Sequence, residues 1–349
     1  MGKDPPRPSL QREGEIKLFI TTLRRLFLIL SLVLSVGLAG AQTLSEEAAI
    51  YLLTCTAGEE VWSKYGHTGL RVVDRAQDMD VVFNYGLFSM QEKGFYLKFV
   101  RGETYYQLGI EPYRYFREFY GAIGRKTYWQ RLNLTQAQKQ EVMDALLTNY
   151  LPENRFYLYN FVFDNCATRP YHILKQALGD TILSTYKGYE GTPFREAIRH
   201  YTGRHNWVDF GINMIFGKEA DEPMSNEERL FLPEELMWYM AEARLADGTP
   251  LVAAQEVAPF EEAKTPWYAD CRLGIALFAL LLVGLSLWDR RRGKISLWAD
   301  ILLIIIYLIL IAISVFLTFF SVHPLVGFNW RLLLLPFIHL CARLIYFFR

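Results

Sequence analysis

The sequence is poor in cysteine and has none of the short motifs that bind nucleotides or catalytic zinc. Its four cysteines are Cys55, Cys166, Cys271 and Cys341, and no two of them form a CxxC pair. They are too few for a disulfide scaffold and lack the spacing of a structural zinc site. Neither GxGxxG before a helix nor GxxxxGK[ST] occurs, and the histidines lack HExxH spacing. We therefore expect no metal and no dissociable cofactor.

The chain also lacks an excess of either charge. Its 37 lysine and arginine residues balance 37 aspartate and glutamate residues. Nucleic-acid-binding proteins normally carry a basic excess, so we expect no nucleic-acid partner. Hydrophobic residues make up 52% of the 349, slightly above the usual share, and they are concentrated in residues 273–348. The sequence therefore predicts a globular domain followed by a membrane part.

The N-terminus has the three parts of a secretory signal peptide. Arg24 and Arg25 precede an apolar run over residues 26–38, and small residues follow at 39–41. This order predicts a signal peptide over residues 1–41, although an uncleaved anchor stays open. The next residue is not cysteine, so the signal is not that of a lipoprotein.

The C-terminal part, residues 266–349, is predicted to be a membrane domain. Its three expected spans cover residues 273–288, 301–322 and 332–348. Three arginines at 290–292 follow the first span, and by the positive-inside rule this loop faces the cytoplasm. Pro336 and His339 interrupt the third span, so a re-entrant segment is an alternative there. Signal and arginines together predict a multi-pass membrane protein, with residues 42–265 outside the cytoplasm.

The exported part mixes strands and helices without clean alternation, which predicts an α+β fold. We expect a hairpin of strands 66–74 and 81–86, a strand at 130–134, a helix over 136–150 capped by Thr135, an aromatic strand or loop at 156–163, and a helix starting near Cys166. Residues 46–53 could open a helix, or 50–54 could be a strand. The aromatic and basic stretch 95–126 is interpreted as a barrel core with a solvated face. A surface that contacts lipid headgroups is the alternative.

Cys166 is the candidate nucleophile. It follows Asp164 and Asn165 and lies where a helix is expected to begin. The amides at a helix N-terminus favour a thiolate, so we expect a low pKa for this cysteine. A buried structural cysteine is the alternative.

A cysteine nucleophile needs a base, and His67 is the candidate. It lies at the start of a strand between Gly66 and Gly69, small residues that leave room for a substrate and for close backbone approach. The spacing of His172 from the cysteine points its side chain away from it. His200 and His205 are expected in a solvated loop.

A third polar group usually orients the base, and Asn84 is the candidate because a hairpin in register would bring it to the imidazole. Its alternative is an ordinary hydrogen bond at a strand edge. After the second span, His323, Asn329, Trp330 and Arg331 are expected to cluster at the outer membrane surface, as substrate-positioning residues or as interface anchors.

The order of these residues resembles a known superfamily. A histidine in residues 66–69 (GHTG) precedes a cysteine in residues 164–167 (DNCA), which is reversed from papain. This order resembles the circularly permuted NlpC-type papain-like superfamily, which includes lecithin:retinol acyltransferase. Within it, the chain resembles the Lnb-type lipoprotein N-acyltransferases of Bacteroidota, which have an exported domain and then membrane helices. The resemblance covers residues 42–335.

The resemblance implies a permuted papain-like (NlpC/LRAT-like) catalytic domain with Cys166 as nucleophile and His67 as base. Asn84 would stand where related enzymes have a third polar residue, often His or Glu. The resemblance also implies a multi-pass protein of the bacterial inner membrane whose catalytic domain faces the periplasm. The implied activity is a membrane-bound acyltransferase that moves an acyl chain from a phospholipid donor, through a thioester, to the N-terminal amine of a diacylated lipoprotein. A Cys–His hydrolase of peptidoglycan peptides or lipid esters is the alternative, although the spans favour a lipid substrate. A non-enzymatic envelope protein is a third hypothesis.

Overall fold

The computed structural model describes residues 43–179, 182–293, 297–327 and 329. The predicted signal peptide at 1–41 and the predicted third span at 332–348 lie outside the described residues, as do Trp330 and Arg331.

The described residues form short strands and helices between residues 49 and 256, followed by two long helices. The strands are β1 (Ala49–Cys55), β2 (His67–Asp74), β3 (Met79–Leu87), β4 (Tyr105–Pro112), β5 (Thr127–Leu132), β6 (Phe156–Leu158), β7 (Leu183–Ser184), β8 (Ala243–Arg244) and β9 (Val252–Glu256). The α-helices are α1 (Phe95–Arg101), α2 (Tyr113–Ala122), α3 (Gln136–Tyr150), α4 (Thr168–Ala177), α5 (Phe194–Thr202), α6 (Trp207–Ile215), α7 (Pro233–Ala241), α8 (Cys271–Arg292) and α9 (Leu297–Phe320). Short 3-10 helices lie at Val61–Ser63, Arg75–Gln77, Lys218–Asp221, Glu228–Phe231 and Trp267–Ala269.

Seven strands form one antiparallel sheet in the order β6-β4-β3-β2-β1-β5-β9. β7 and β8 form a separate pair. Sheet and helices together confirm the predicted α+β class. Residues 46–53 do not open a helix, since β1 occupies most of them and lies in the middle of the sheet.

The β2–β3 hairpin has the register that the alternation of apolar residues requires. Leu70 pairs with Phe83 and Asp74 with Met79. At the turn, Asp74 is buried and accepts hydrogen bonds from the backbone amides of Ser45 and Ala76. These bonds fix the turn, and so fix which residues of β2 and β3 share a face of the sheet.

The sheet is covered on both faces. Along β1, Leu52 packs into the larger core with α3, α4 and α7, while Leu53 packs into a smaller cluster with Phe116 and Tyr120 of α2. Thr135 caps α3 as predicted, with a reciprocal bond between its backbone amide and the side chain of Gln138.

The interpretation of residues 95–126 as a barrel core is wrong. This stretch contains α1, β4 and α2, and the strand order ends at β6 and β9 without closing the described sheet. Buried Phe116 and Tyr120 are four residues apart, the spacing of one helix face. The helical spacing is hard to recognise in the sequence, because the exposed positions of this stretch also carry many aromatic residues.

Both long helices are apolar and long enough to cross a membrane. α8 begins two residues before the predicted span 273–288 and continues to Arg292, because the basic residues after the span stay helical until Gly293 ends the helix with a φ of 59°. Its 22 residues extend about 33 Å, close to the thickness of a bilayer's hydrocarbon core. The apolar part of α9, Asp300–Phe320, matches the predicted span 301–322 within two residues.

Candidate active site

Cys166, His67 and Tyr157 surround one small gap beside Gly86. A Cβ atom built on Gly86 would lie 3.5 Å from the Cβ of Cys166, 3.9 Å from Cε1 of His67 and 4.0 Å from the hydroxyl of Tyr157. Gly86 has a φ of 91° at an irregularity in the pairing of β3 with β4, so a side chain there would be strained and would fill the gap. The structure thus brings the predicted nucleophile and base together around the space that Gly86 leaves by having no side chain.

His67 is held by a chain of two hydrogen bonds. Its Nε2 lies 2.7 Å from Oδ1 of Asn84, and Nδ2 of Asn84 donates to Oε1 of Glu111 at 2.8 Å. A carboxylate only accepts, so Glu111 fixes which end of the Asn84 amide faces the imidazole. Because Oδ1 also only accepts, His67 carries its proton on Nε2. Nδ1 is then the basic atom of the ring.

The hairpin explains why Asn84 reaches His67. Continuing the β2–β3 register places His67 opposite Gly86. Asn84 is two residues before Gly86 on β3, so the side chains of Asn84 and His67 lie on the same face of the sheet. Tyr120 of α2 stacks on the imidazole, with ring centroids 5.7 Å apart and planes at 18°. The ring of His67 is therefore fixed in place by a hydrogen bond and by an aromatic contact.

The glycines on either side of His67 have one of the two predicted roles, the close approach of neighbouring groups, and not the other, room for a substrate. A Cβ on Gly66 would lie 2.8 Å from the carbonyl oxygen of Cys55, and one on Gly69 would lie 3.0 Å from Cγ1 of Val82. Both glycines therefore allow close packing within the protein, rather than leaving room for a substrate. The space beside the histidine comes from Gly86.

Cys166 lies in a tight turn before α4, which begins at Thr168. The preceding residue, Asn165, is 3% exposed and makes four side-chain hydrogen bonds. Its Oδ1 accepts from the amides of Ala167 and Thr168, and its Nδ2 donates to the carbonyls of Phe161 and Phe231. These bonds fix the backbone on both sides of the sulfur.

The expected low pKa of Cys166 is wrong for the protein without substrate. Burial raises the pKa of this thiol to about 11, and the backbone amides of Thr68 and Cys166 itself only partly oppose the shift. Burial also lowers the pKa of His67 to about 4, against the effect of the hydrogen bond that the imidazole donates to Asn84. At Cys166, desolvation outweighs the hydrogen bonds from these two backbone amides. At neutral pH both groups are therefore uncharged.

This arrangement predicts how Cys166 reacts with iodoacetamide. Because its pKa is about 11, the thiolate fraction should rise about tenfold per pH unit between pH 7 and 9, and the alkylation rate with it. The rate at Cys166 is measured by peptide mass spectrometry of the full-length protein. Cys55 is fully buried, so its labelling should be slower still at every pH. A rate at Cys166 that is independent of pH would instead indicate a thiolate–imidazolium pair.

Tyr157 completes the gap and was not identified from the sequence. Its hydroxyl is buried and, within the part of the chain that the structure describes, has no hydrogen-bond partner. Burial raises the pKa of this phenol well above its ordinary value, so it carries its proton. An unpaired buried donor beside the thiol can bind an oxygen that develops negative charge.

The remaining predicted polar residues lie elsewhere. His172 is exposed on α4, and His205 is in the turn between α5 and α6. His200 is not in a solvated loop but on α5, half-buried against the ring of Tyr201. Nε2 of His323 lies 2.7 Å from the carbonyl of Phe99, whereas the Nδ2 of Asn329 donates to the carbonyl of Met214. His323 and Asn329 therefore contact α1 and α6 and do not enter the gap.

Helix α1 contacts the segment that follows α9. The amide of Val322 donates to the carbonyl of Arg101, and the hydroxyl of Ser321 donates to the carbonyl of Val100. Close to these bonds α1 exposes large apolar side chains, with Tyr96 73% and Leu97 57% exposed. α1 thus presents an apolar surface beside the end of an apolar, membrane-length helix.

A row of aromatic rings leads from this end of α9 towards the gap. Successive centroids in the row are 4.1 to 6.1 Å apart, in the order His323, Phe99, Phe95, Phe88, Tyr106 and Tyr159. The pKa of both Tyr106 and Tyr159 is raised by burial and, to a smaller extent, by a negative charge on Cys166. The row therefore ends near the candidate nucleophile.

Fold and site together define a class of protein, an α+β domain with a thiol, an imidazole and an amide at one gap, joined to apolar membrane-length helices. Two family models match: the Lnb N-terminal periplasmic domain over residues 40–202 and the Lnb transmembrane domain over residues 265–349. The chain belongs to the Lnb family, which confirms the predicted family. It is a membrane-associated protein with an exported domain, in a family that modifies lipoproteins. Searches of curated proteins and of solved structures gave no match. The permuted papain-like fold therefore stays a prediction.

Proposed function

We propose that this protein is an acyltransferase of the bacterial inner membrane that transfers an acyl chain from a phospholipid to the N-terminal amine of a diacylated lipoprotein. The observation that carries the proposal is the gap shared by Cys166, His67 and Tyr157, with Asn84 fixing the imidazole. Family membership supplies the lipoprotein substrate class, and the aromatic row between α9 and Cys166 supports a lipid donor.

In the first half of the reaction, Nδ1 of His67 takes the thiol proton as the sulfur of Cys166 attacks the ester carbonyl of the phospholipid. The hydroxyl of Tyr157 donates a hydrogen bond to the oxyanion that forms. The bond between the carbonyl carbon and the glycerol oxygen then breaks. The imidazolium returns the proton to that oxygen, so a lysophospholipid leaves and a thioester remains.

In the second half, the lipoprotein amine attacks the thioester carbonyl and His67 removes one of its protons. The carbon–sulfur bond breaks, the sulfur regains a proton, and an amide is formed. Both partners start uncharged, so proton transfer accompanies attack as general-base catalysis. Water in place of the amine would give a hydrolase with the same residues.

The function is tested on a reporter lipoprotein in cells that lack their own N-acylating enzyme. Mass spectrometry of the N-terminal peptide should show a third acyl chain when the protein is expressed and two chains when it is not. A reporter that keeps two chains, together with released free fatty acid or cleaved wall peptides, would favour the hydrolase.

Glu111 should act as a positioning residue through Asn84. Replacing it with leucine frees the Asn84 amide to turn, so that Nδ2 can face the imidazole and disfavour the tautomer with a basic Nδ1. We expect kcat for acyl transfer to fall about tenfold to a hundredfold with KM little changed, by analogy with the partners that orient metal-ligating histidines. Glu111→Gln keeps an oxygen that accepts from Asn84 and should retain most activity. Equal losses in both variants would mean that Glu111 does not act by orienting the amide.

A further inference from the structure

A buried guanidinium next to the candidate active site has an unused hydrogen-bond donor. Arg125 is 8% exposed, and its Nε donates to the carbonyl of Thr56 at 2.6 Å. Its Nη2 is buried and has no hydrogen-bond partner among the described residues. Leaving one buried N–H group of a charged side chain without a hydrogen bond is costly, so such a donor indicates a site for an anion.

Arg125 lines a cavity of about 330 Å³ between α2 and β5. The charged residues around it are Arg117, Arg125, Lys126 and Glu256, so cations outnumber carboxylates three to one. Glu256 already accepts a hydrogen bond from the indole of Trp129 at 3.0 Å. The cavity therefore has a net positive lining, with one cation already desolvated.

One aromatic ring, that of Tyr120, contacts both Arg125 of the cavity and His67 of the catalytic gap. The guanidinium carbon of Arg125 lies 4.8 Å from the centroid of this ring, and the imidazole of His67 stacks on the same ring. Thr56, which binds Arg125, follows Cys55, and Cys55 pairs with His67 across β1 and β2. The positive charge of Arg125 also lowers the pKa of both Cys166 and His67, so its field reaches the reacting groups.

We propose that Arg125, with Arg117 and Lys126, binds the phosphate of the phospholipid that donates the acyl chain. This inference rests on the proposed function. In a glycerophospholipid only the three-carbon glycerol separates the phosphate from the acyl esters, so an ester in the gap places the phosphate nearby. A guanidinium suits a phosphodiester because its planar N–H groups match two phosphate oxygens. Lipids without a phosphate would lose this contact.

The test measures lipid binding without turnover. Full-length Cys166→Ala protein in an uncharged detergent is titrated with dihexanoyl phosphatidylcholine, and separately with dihexanoylglycerol, which has the same chains and no phosphate. In this Cys166→Ala background, the further substitution Arg125→Gln should raise the Kd for the phospholipid about tenfold to a hundredfold. It should leave the Kd for dihexanoylglycerol unchanged. The matched control is Arg114→Gln, an arginine of α2 that stacks on Tyr115 and does not line the cavity.

Arg117→Gln is the second variant, because Arg117 is exposed and its replacement should not disturb folding. Arg117→Gln should also raise the Kd for the phospholipid, by a smaller factor than Arg125→Gln does. Unchanged phospholipid binding in both cavity variants would overturn the proposal, as would an equal loss for both lipids. Inorganic phosphate binding as tightly as the phospholipid would assign the cavity to free anions instead. The binding assay does not depend on acyl transfer. A failed transfer assay would therefore contradict the proposed function without changing the result for phosphate binding by Arg125.

Discussion

Replacing Cys166 with alanine is expected to reduce acyl transfer by at least about 10⁴-fold, because without the sulfur no covalent acyl intermediate can form. Tyr157 is not expected to replace it, because burial raises the pKa of this phenol well above its ordinary value and keeps its oxygen protonated. The measurement is the rate of amide formation by full-length protein in detergent with phospholipid and a diacylated peptide. Cys166→Ser should be nearly as inactive, because the uncharged imidazole of His67 is a weak base for an alcohol of much higher pKa.

The matched control is Cys55→Ala. Cys55 is also a free cysteine, and it pairs with His67 in the sheet, but it is fully buried with its sulfur 3.5 Å from Oγ1 of Thr127. Its removal should cost some stability and leave the transfer rate within about threefold of wild type. Wild-type protein incubated with donor alone should carry a hydroxylamine-sensitive acyl group on Cys166. Full transfer by Cys166→Ala would show that another group accepts the acyl chain.

The sequence was sufficient for the parts of the site that depend on local pattern. Alternating apolar residues placed His67 and Asn84 on paired strands, and the register then determined that they share a face. Glu111 could not be found in this way, because it lies on β4. The sequence pattern does not show β4 as a separate strand within the aromatic stretch, so no register relates Glu111 to Asn84. Tyr157 was hidden for a related reason. Its hydroxyl lacks a hydrogen-bond partner among the described residues because of how the domain packs, and no spacing in the sequence reports this.

The pKa of Cys166 shows how burial overrides a local argument. The sequence correctly indicated a helix beginning near this residue, and α4 starts at Thr168. The inference of a thiolate assumed that the helix terminus would dominate, but the surroundings of Cys166 come from the sheet and from Tyr157 and Tyr159. Desolvation by these distant segments of the chain raises the pKa instead.

Asn165→Ala should have the second large effect, on the free energy of unfolding. All four hydrogen bonds of the Asn165 side chain go to backbone groups, and the side chain is 3% exposed. Alanine would leave two amides at the start of α4 and two carbonyls without these partners. At about 1 kcal/mol for each lost bond, the expected cost is on the order of 4 kcal/mol. Thermal or chemical unfolding of the full-length protein in detergent measures it.

A comparison of three variants distinguishes this role of Asn165 from a general effect of losing an asparagine. Asn160 is the matched control, since its Oδ1 accepts from the amides of Val162 and Phe163 in a more exposed turn, and Asn160→Ala should cost about 1 to 2 kcal/mol. Asn165→Asp keeps the oxygen that caps α4 but places a carboxylate beside the carbonyl of Phe231, so it should be nearly as destabilising as alanine at pH 7. Protonation at lower pH restores one donor, so its deficit relative to wild type should shrink as pH falls. A deficit independent of pH would show that the two carbonyl contacts contribute little, and that the cap alone holds Cys166 at the gap.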